Sequence, residues 1–168
     1  MAKTYEPIAT YTFPNSSTAS YTFSNIPATY DDLSIIITET GNSGSNENGF
    51  QFNGDTSTAN YAAYGLYART SGNAVGWSAT NEGKIRFGGN VANLTHRIEI
   101  VNYRSSYWKY ALVDAFGLGS GINQGWHLTG CWKSTSAITS IKFDTFGSGY
   151  GYYFQLGTQI TLYGIKRA

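Results

Sequence analysis

Apolar and polar side chains alternate along most of this chain with a period of two. In Leu33 to Thr38, Leu33, Ile35 and Ile37 share one face and Ile36 takes the other. In Leu94 to Tyr103, Ile98 and Ile100 alternate with Arg97 and Glu99. Near the C-terminus Ile141 and Phe143 oppose Lys142 and Asp144, and Ile160 and Leu162 alternate with Gln159, Thr161 and Tyr163. Period two is the mark of a strand with one covered face. The last of these runs ends almost at the final residue. An apolar terminal strand invites aggregation unless it is paired, so the pattern places it inside a sheet.

The same criterion marks strands over Thr4 to Phe13, Ser20 to Phe23, Phe50 to Phe52, Tyr61 to Arg69, Val75 to Ala79, Lys84 to Phe87, Ser106 to Phe116 and Gly125 to Trp132. Pro7 marks an edge or a bend. In Ser106 to Phe116, Trp108, Tyr110 and Leu112 fall on one side. In Gly125 to Trp132, Trp126, Leu128 and Trp132 oppose His127, Thr129 and Cys131. ThrTyrThrPhe at 10–13 and SerTyrThrPhe at 20–23, joined by a Pro14-Asn15-Ser16-Ser17 turn, read as a hairpin. Gly41 to Gly49, Gly117 to Gly121 and Gly147 to Gly157 read as glycine-rich loops, and Asn53-Gly54-Asp55 as a tight turn. About ten short strands at this spacing predict an all-β, two-sheet antiparallel sandwich. A jelly roll suits strand patterns at both termini, because it brings the first and last strands together.

The composition supports this. There are 14 Tyr, 9 Phe, 4 Trp and 20 Gly, and no eleven-residue window carries a helical apolar stripe. At 168 residues the chain reads as one domain, residues 1–168, able to fold without a metal or disulfide. Net charge is +1 with basic residues scattered, which is not the footprint of a nucleic-acid binder. The first six residues lack the apolar core of a signal peptide, and the longest apolar run is too short to span a bilayer. These features predict a cytoplasmically assembled protein with no nucleic-acid or membrane partner.

Candidate chemistry is sparse. Asp31 and Asp32 are adjacent, so they point apart in an extended chain, while Asp55, Asp114 and Asp144 stand singly. Glycoside hydrolysis needs two carboxyls roughly 5–10 Å apart, and no local motif supplies them. Cys131 and His127 share a strand face but sit about 13 Å apart, too far to exchange a proton. Glycine pairs occur in GNSGSNENG, RFGGN and FGLGSG without a following helix, so no phosphate loop is expected. Asn53 to Thr56 offers oxygens, but too few for calcium. The expectation is no catalytic residue, no metal and no cofactor. The surplus of aromatics divides among core filling, a protein–protein surface and a sugar-stacking platform. For the surplus as a whole the protein–protein surface leads. Its candidate contact residues are Trp108, Tyr110, Trp126, Trp132, Tyr150, Tyr152 and Tyr153.

Three stretches carry a resemblance: SNIPATYDDL at 24–33, FNGDT at 52–56 with Asn60-Tyr61 and Leu66-Tyr67, and the ending Phe154-x-x-Gly157 through LYGIK at 162–166. In this order they resemble the small virion proteins of tailed bacteriophages, notably cyanophages. The resemblance covers about residues 5–60 and 138–166; Tyr103 to Gly130 departs from it by its richness in Trp and Tyr. It implies a β-sandwich building block of the particle: a non-enzymatic capsid decoration, or cement, protein on the outer surface of the head. Its implied partners are the major capsid protein and further copies of itself, a homotrimer first among them. The alternative it implies is a tail or fibre component that binds host-surface carbohydrate.

Overall fold

The computed structural model describes residues 3–40, 48–69, 72–80, 82–87, 93–119, 122–145 and 153–167. Twelve strands lie among them: β1 (Lys3–Thr12), β2 (Ser20–Phe23), β3 (Asp32–Thr38), β4 (Asn48–Phe52), β5 (Tyr61–Arg69), β6 (Val75–Thr80), β7 (Ile85–Phe87), β8 (Leu94–Val101), β9 (Lys109–Gly119), β10 (Ile122–Trp132), β11 (Ile141–Thr145) and β12 (Gln159–Arg167). They form two antiparallel sheets: an eight-stranded one in the order β1-β12-β3-β8-β9-β10-β5-β6 and a four-stranded one in the order β2-β11-β4-β7. The sheets pack as a sandwich around one apolar cluster that includes Leu33, Ile35, Phe50, Phe52, Ile98, Phe143 and Leu162.

The connections explain the unequal sheets. Taken alone, β1-β12-β3-β8 and β2-β11-β4-β7 are the two halves of an eight-stranded jelly roll, in which the chain changes sheet at each step from β1 to β2 to β3 to β4. Two hairpins are inserted into that core. β5 and β6 fall between β4 and β7; β9 and β10 fall between β8 and β11. Both add to the same edge of the large sheet, where β10 pairs with β5 over Gln124 to Trp132. The terminal strands meet as expected: β12 lies between β1 and β3.

The structure corrects several expectations. The first two strands are not a hairpin: β1 pairs with β12 in the large sheet and β2 with β11 in the small one. Phe13 explains the crossing, because its backbone is held by Thr158 and Gly157 and the chain then leaves the large sheet. The echoed tyrosines stack instead: the Tyr11 and Tyr21 rings lie 3.6 Å apart at 9°. The expected 117–121 loop is mostly ladder, with Ile122 opposite Gly119. Residues 41–47 of the first glycine-rich loop and 147–152 of the last lie outside the described residues.

The stretches that carry the phage resemblance are structural nodes. Asn53 and Gly54 both take positive φ, 53° and 67°, in a tight turn closed by Asp55 N–H to the Phe52 carbonyl. The Asn53 side chain ties that turn to the segment before β11, accepting from Thr139 and Ser140 N–H and donating to the Ala137 carbonyl. Asp32 in the corner is buried, and Arg167 grips it through both carboxylate oxygens. The Tyr30 ring lies against Gly164, where any β-carbon would clash with it.

Candidate functional site: the outer face of the large sheet

Alternation fixes what each strand of the inserted hairpins shows to solvent. On β9, Lys109, Ala111, Val113 and Ala115 are buried, so Tyr110, Leu112, Asp114 and Phe116 face outward. On β5, Tyr61 and Ala63 point in, and Tyr64 and Leu66 point out. On β10, Trp126, Leu128 and Trp132 point in and His127 and Thr129 out. Large side chains of both β9 and β5, namely Tyr110, Leu112, Phe116, Tyr64 and Leu66, are therefore on the wet side. Phe116 is 61% exposed, Tyr64 58% and Leu66 54%. Among the described residues, eight of the eleven exposed large hydrophobics belong to the inserted hairpins or to the turn entering β9, where Tyr107 and Trp108 stand. Hairpins added only to enlarge a core would carry polar residues on this side.

The ladder places these side chains in rows. Leu112, Thr129 and Tyr64 are successive cross-strand neighbours, as are Asp114, His127 and Leu66. Phe116 lies across from Gly125. From β8 to β6 the face spans four strand spacings, about 19 Å, and from Trp108 to Phe116 about 27 Å. That is a flat footprint of roughly 500 Å² before side-chain relief, in which Asp114, His127 and Thr129 interrupt the apolar side chains.

The charges on this face are paired within it. His127 Nδ1 meets Asp114 Oδ1 at 2.5 Å, and Arg97 Nε donates to Glu99 Oε1 at 2.8 Å. A groove of about 480 Å³ opens over Gly125, walled by Leu66, Ala68, Phe116 and His127. A β-carbon at Gly125 would meet nothing within 4 Å, so the groove floor is backbone. A second hollow of about 430 Å³ lies between Tyr107, Trp108, Tyr110 and Thr135. Its wall is held from beneath: the ammonium of buried Lys109 donates to the carbonyls of Ser105, at 2.7 Å, and Tyr107, at 2.6 Å. Burial lowers the Lys109 pKa from its usual value.

Of the contact residues expected from sequence, Trp108 and Tyr110 are on this face, each about half exposed. Trp126 and Trp132 are not available to a partner, because alternation on β10 turns them inward. Trp126 stacks on Tyr67 at 4.9 Å and meets Trp77 edge-on at 5.9 Å. Trp132 packs against Phe52 at 5.3 Å and donates its indole N–H to Asp55 Oδ2 at 2.7 Å. Tyr153 is half-buried beside the bridge between Thr18 and Phe154. Tyr150 and Tyr152 lie outside the described residues. Sequence reasoning missed Tyr64, Leu66, Leu112 and Phe116 as surface residues. The usable signal was Asp114, a carboxylate at mid-strand with the same parity as Tyr110, Leu112 and Phe116.

The carboxylates hold the fold. Asp55 accepts from Trp132, from Asn60 at 2.8 Å and from Ser57 N–H at 2.9 Å. Burial alone would raise its pKa, but those three donors outweigh it and hold the carboxyl below its ordinary value. Asp144 is bridged by Lys84 and Lys142. Inside the sandwich Glu39 takes a hydrogen bond from Asn48 at 2.7 Å, and His96 Nε2 stands 3.0 Å from the same oxygen. Cys131 is on the outer face with Thr129 between it and His127, and burial raises its thiol pKa, which leaves it a poor nucleophile. Among the described residues no three His, Cys, Asp or Glu side chains converge as a metal set. No helix among the described residues is long and apolar enough to cross a membrane. Comparison of the chain with protein families, with curated proteins and with solved structures finds no match.

Proposed function

We propose that this chain is a non-enzymatic binding protein that docks through the outer face of its large sheet onto an assembled protein surface. The setting we propose is the outside of a tailed-phage head, with the major capsid protein as partner. The observation that carries the reading is the apolar band of Tyr64, Leu66, Tyr110, Leu112 and Phe116 on two hairpins that the jelly roll does not need. Interface centres are rich in aromatics and poor in unpaired charge, and this face has both properties. A protein that binds the assembled shell better than free subunits stabilises the shell by mass action, and repetition over the lattice adds avidity.

Co-sedimentation with assembled heads and with unassembled capsid subunits tests this. Binding to heads in preference to subunits is expected, with at least a tenfold loss when Leu112→Glu and Phe116→Glu are combined. Equal binding by that variant, or no binding to heads, overturns it. One observation favours a second reading, a carbohydrate-binding tail component: the Phe116 ring and the Asp114–His127 pair border one open groove, as a sugar-stacking site would require. Retention on a glycan array with no affinity for heads would select that reading.

A further inference from the structure

The sandwich has four sheet edges, and three are guarded. β2 and β7, which end the small sheet, have only 4 and 3 residues. β1, at one end of the large sheet, carries Pro7, a register shift between Pro7 and Ala9, and the charged Glu6 ion-paired with Lys166. Short length, proline, a bulge and charge are the usual devices that stop strands pairing with strangers. β6, at the other end, has none of them. It reads VGWSAT, with no charge and no proline, its pairing with β5 is unbroken from Ala62↔Thr80 to Tyr67↔Val75, and among the described residues no strand pairs with its outer side.

We propose that β6 pairs antiparallel with β6 of a second copy, joining two large sheets edge to edge about a two-fold axis. The alternation of β6 is self-complementary in one register. With Trp77 opposite Trp77 of the second copy, Val75 falls opposite Ala79 and Gly76 opposite Ser78. The apolar trio Val75, Trp77 and Ala79 then meets its own copy on the inner side. There the large sheet extends past β7, Val75 is 48% exposed and Trp77 is half-covered. On the outer side the small Gly76 and Ser78 meet each other, and Thr80 falls opposite Ala74, with no like charge. An axis perpendicular to the sheet leaves both outer apolar faces on the same side. The dimer therefore presents two copies of the docking face side by side, which suits a partner arranged as a lattice. One added strand pair buries little area, so dissociation is expected in the micromolar range.

The measurement is sedimentation equilibrium of the isolated chain from about 1 to 500 μM, which needs no partner and stands apart from the docking reading. The expected mass rises from 18.3 kDa to twice that value. A β-carbon at Gly76 meets nothing within 4 Å, and Ser78 is exposed, so both positions accept charge without disturbing the monomer. Gly76→Lys with Ser78→Lys sets lysine against lysine twice across the axis and is expected to raise the dissociation constant at least tenfold. Gly76→Glu with Ser78→Lys sets opposite charges across the same axis and is expected to restore it. Hydrogen exchange of the wild-type β6 amides supplies a readout that needs no variant: protection should grow with concentration. A monomer at every concentration, a trimer, a dimer indifferent to the lysine pair, or β6 amides whose exchange ignores concentration would each overturn the proposal.

Discussion

Replacing Asp55 by alanine removes three hydrogen bonds that are not equal. The Ser57 N–H sits on an exposed turn, so water takes over and little is lost. Asn60 is half-buried and its bond is worth about 0.5–1.5 kcal/mol. Trp132 is 2% exposed, and its indole N–H would be left inside the sandwich without an acceptor, at about 1–3 kcal/mol. The sum is about 2–4 kcal/mol, or a fall in Tm of roughly 5–15 °C for a chain of this size. Asp55→Asn keeps one oxygen for the indole and should cost about 1 kcal/mol. The loss should also depend on pH. The folded carboxyl has a pKa below its ordinary value, so its stabilisation is complete above the unfolded pKa, near 4, and fades as pH falls through the lower folded value. Urea melts followed by far-UV circular dichroism at pH 7 and pH 3 measure both effects. Trp132→Phe in the wild-type and Asp55→Ala backgrounds closes a double-mutant cycle, in which the small void cancels and only the coupling survives. Additive losses, or a gap between wild type and Asp55→Ala that is the same at both pH values, would refute the reasoning.

Other outcomes follow from the two faces of the inserted hairpins. Leu112→Ala should change stability by no more than about 0.5 kcal/mol while weakening docking, whereas Leu128→Ala, on the buried side of the next strand, should cost about 2–5 kcal/mol; urea midpoints separate them. Gly130→Ala drives a methyl to 2.4 Å from Ile85, where β7 crosses β10, and should cost about 1–3 kcal/mol, while Gly125→Ala meets open space and should be neutral or slightly stabilising by the same melts. Lys109→Met leaves the Ser105 and Tyr107 carbonyls without their donor, costs about 1–3 kcal/mol at pH 7, and speeds amide exchange around Tyr107. Because the folded Lys109 pKa is lowered from 10.5, the unfolded chain binds more protons in the window between the two values. Wild-type stability therefore gains a rising contribution there that the variant lacks, and the gap in Tm should widen with pH.

Strands whose two faces differ in kind were legible in the sequence. Leu33, Ile35 and Ile37, Ile98 and Ile100, Ile141 and Phe143, and Ile160 and Leu162 are all buried, as their alternation with polar residues requires. Sheet assignment was not legible between β1 and β2, because a short polar connection serves a hairpin and a crossing between sheets equally well. What decided it, the hold of Thr158 and Gly157 on Phe13, lies about 145 residues away in sequence. The facing of β9 was not legible for another reason. Its covered side is small, Ala111, Val113 and Ala115, and its wet side is large, so the rule that bulk goes inside does not identify the buried face. Trp126 and Trp132 were misplaced because both an interface and a core take tryptophan, and only the neighbours Tyr67, Trp77 and Phe52 distinguish the two.

The size of the outer face limits how it works. Complete burial of a Leu, Phe or Tyr side chain stabilises by about 1.5–3 kcal/mol, and these five are already about half covered, so sealing them contributes about 4–7 kcal/mol. Bringing two bodies together costs 4 kcal/mol at the very least and on most estimates considerably more. On the proposed docking reading, one copy of this face binding alone would therefore hold a partner weakly. A weak face is still useful if it is presented more than once to a surface that repeats, since the second contact forms at high effective concentration with no new chemistry. Joining two large sheets at β6 sets two such faces in one plane with a fixed spacing. Leaving β6 unguarded, in a molecule whose other edges carry a proline, a bulge, charge or brevity, is then the complement of the proposed docking face, which is too small to hold singly.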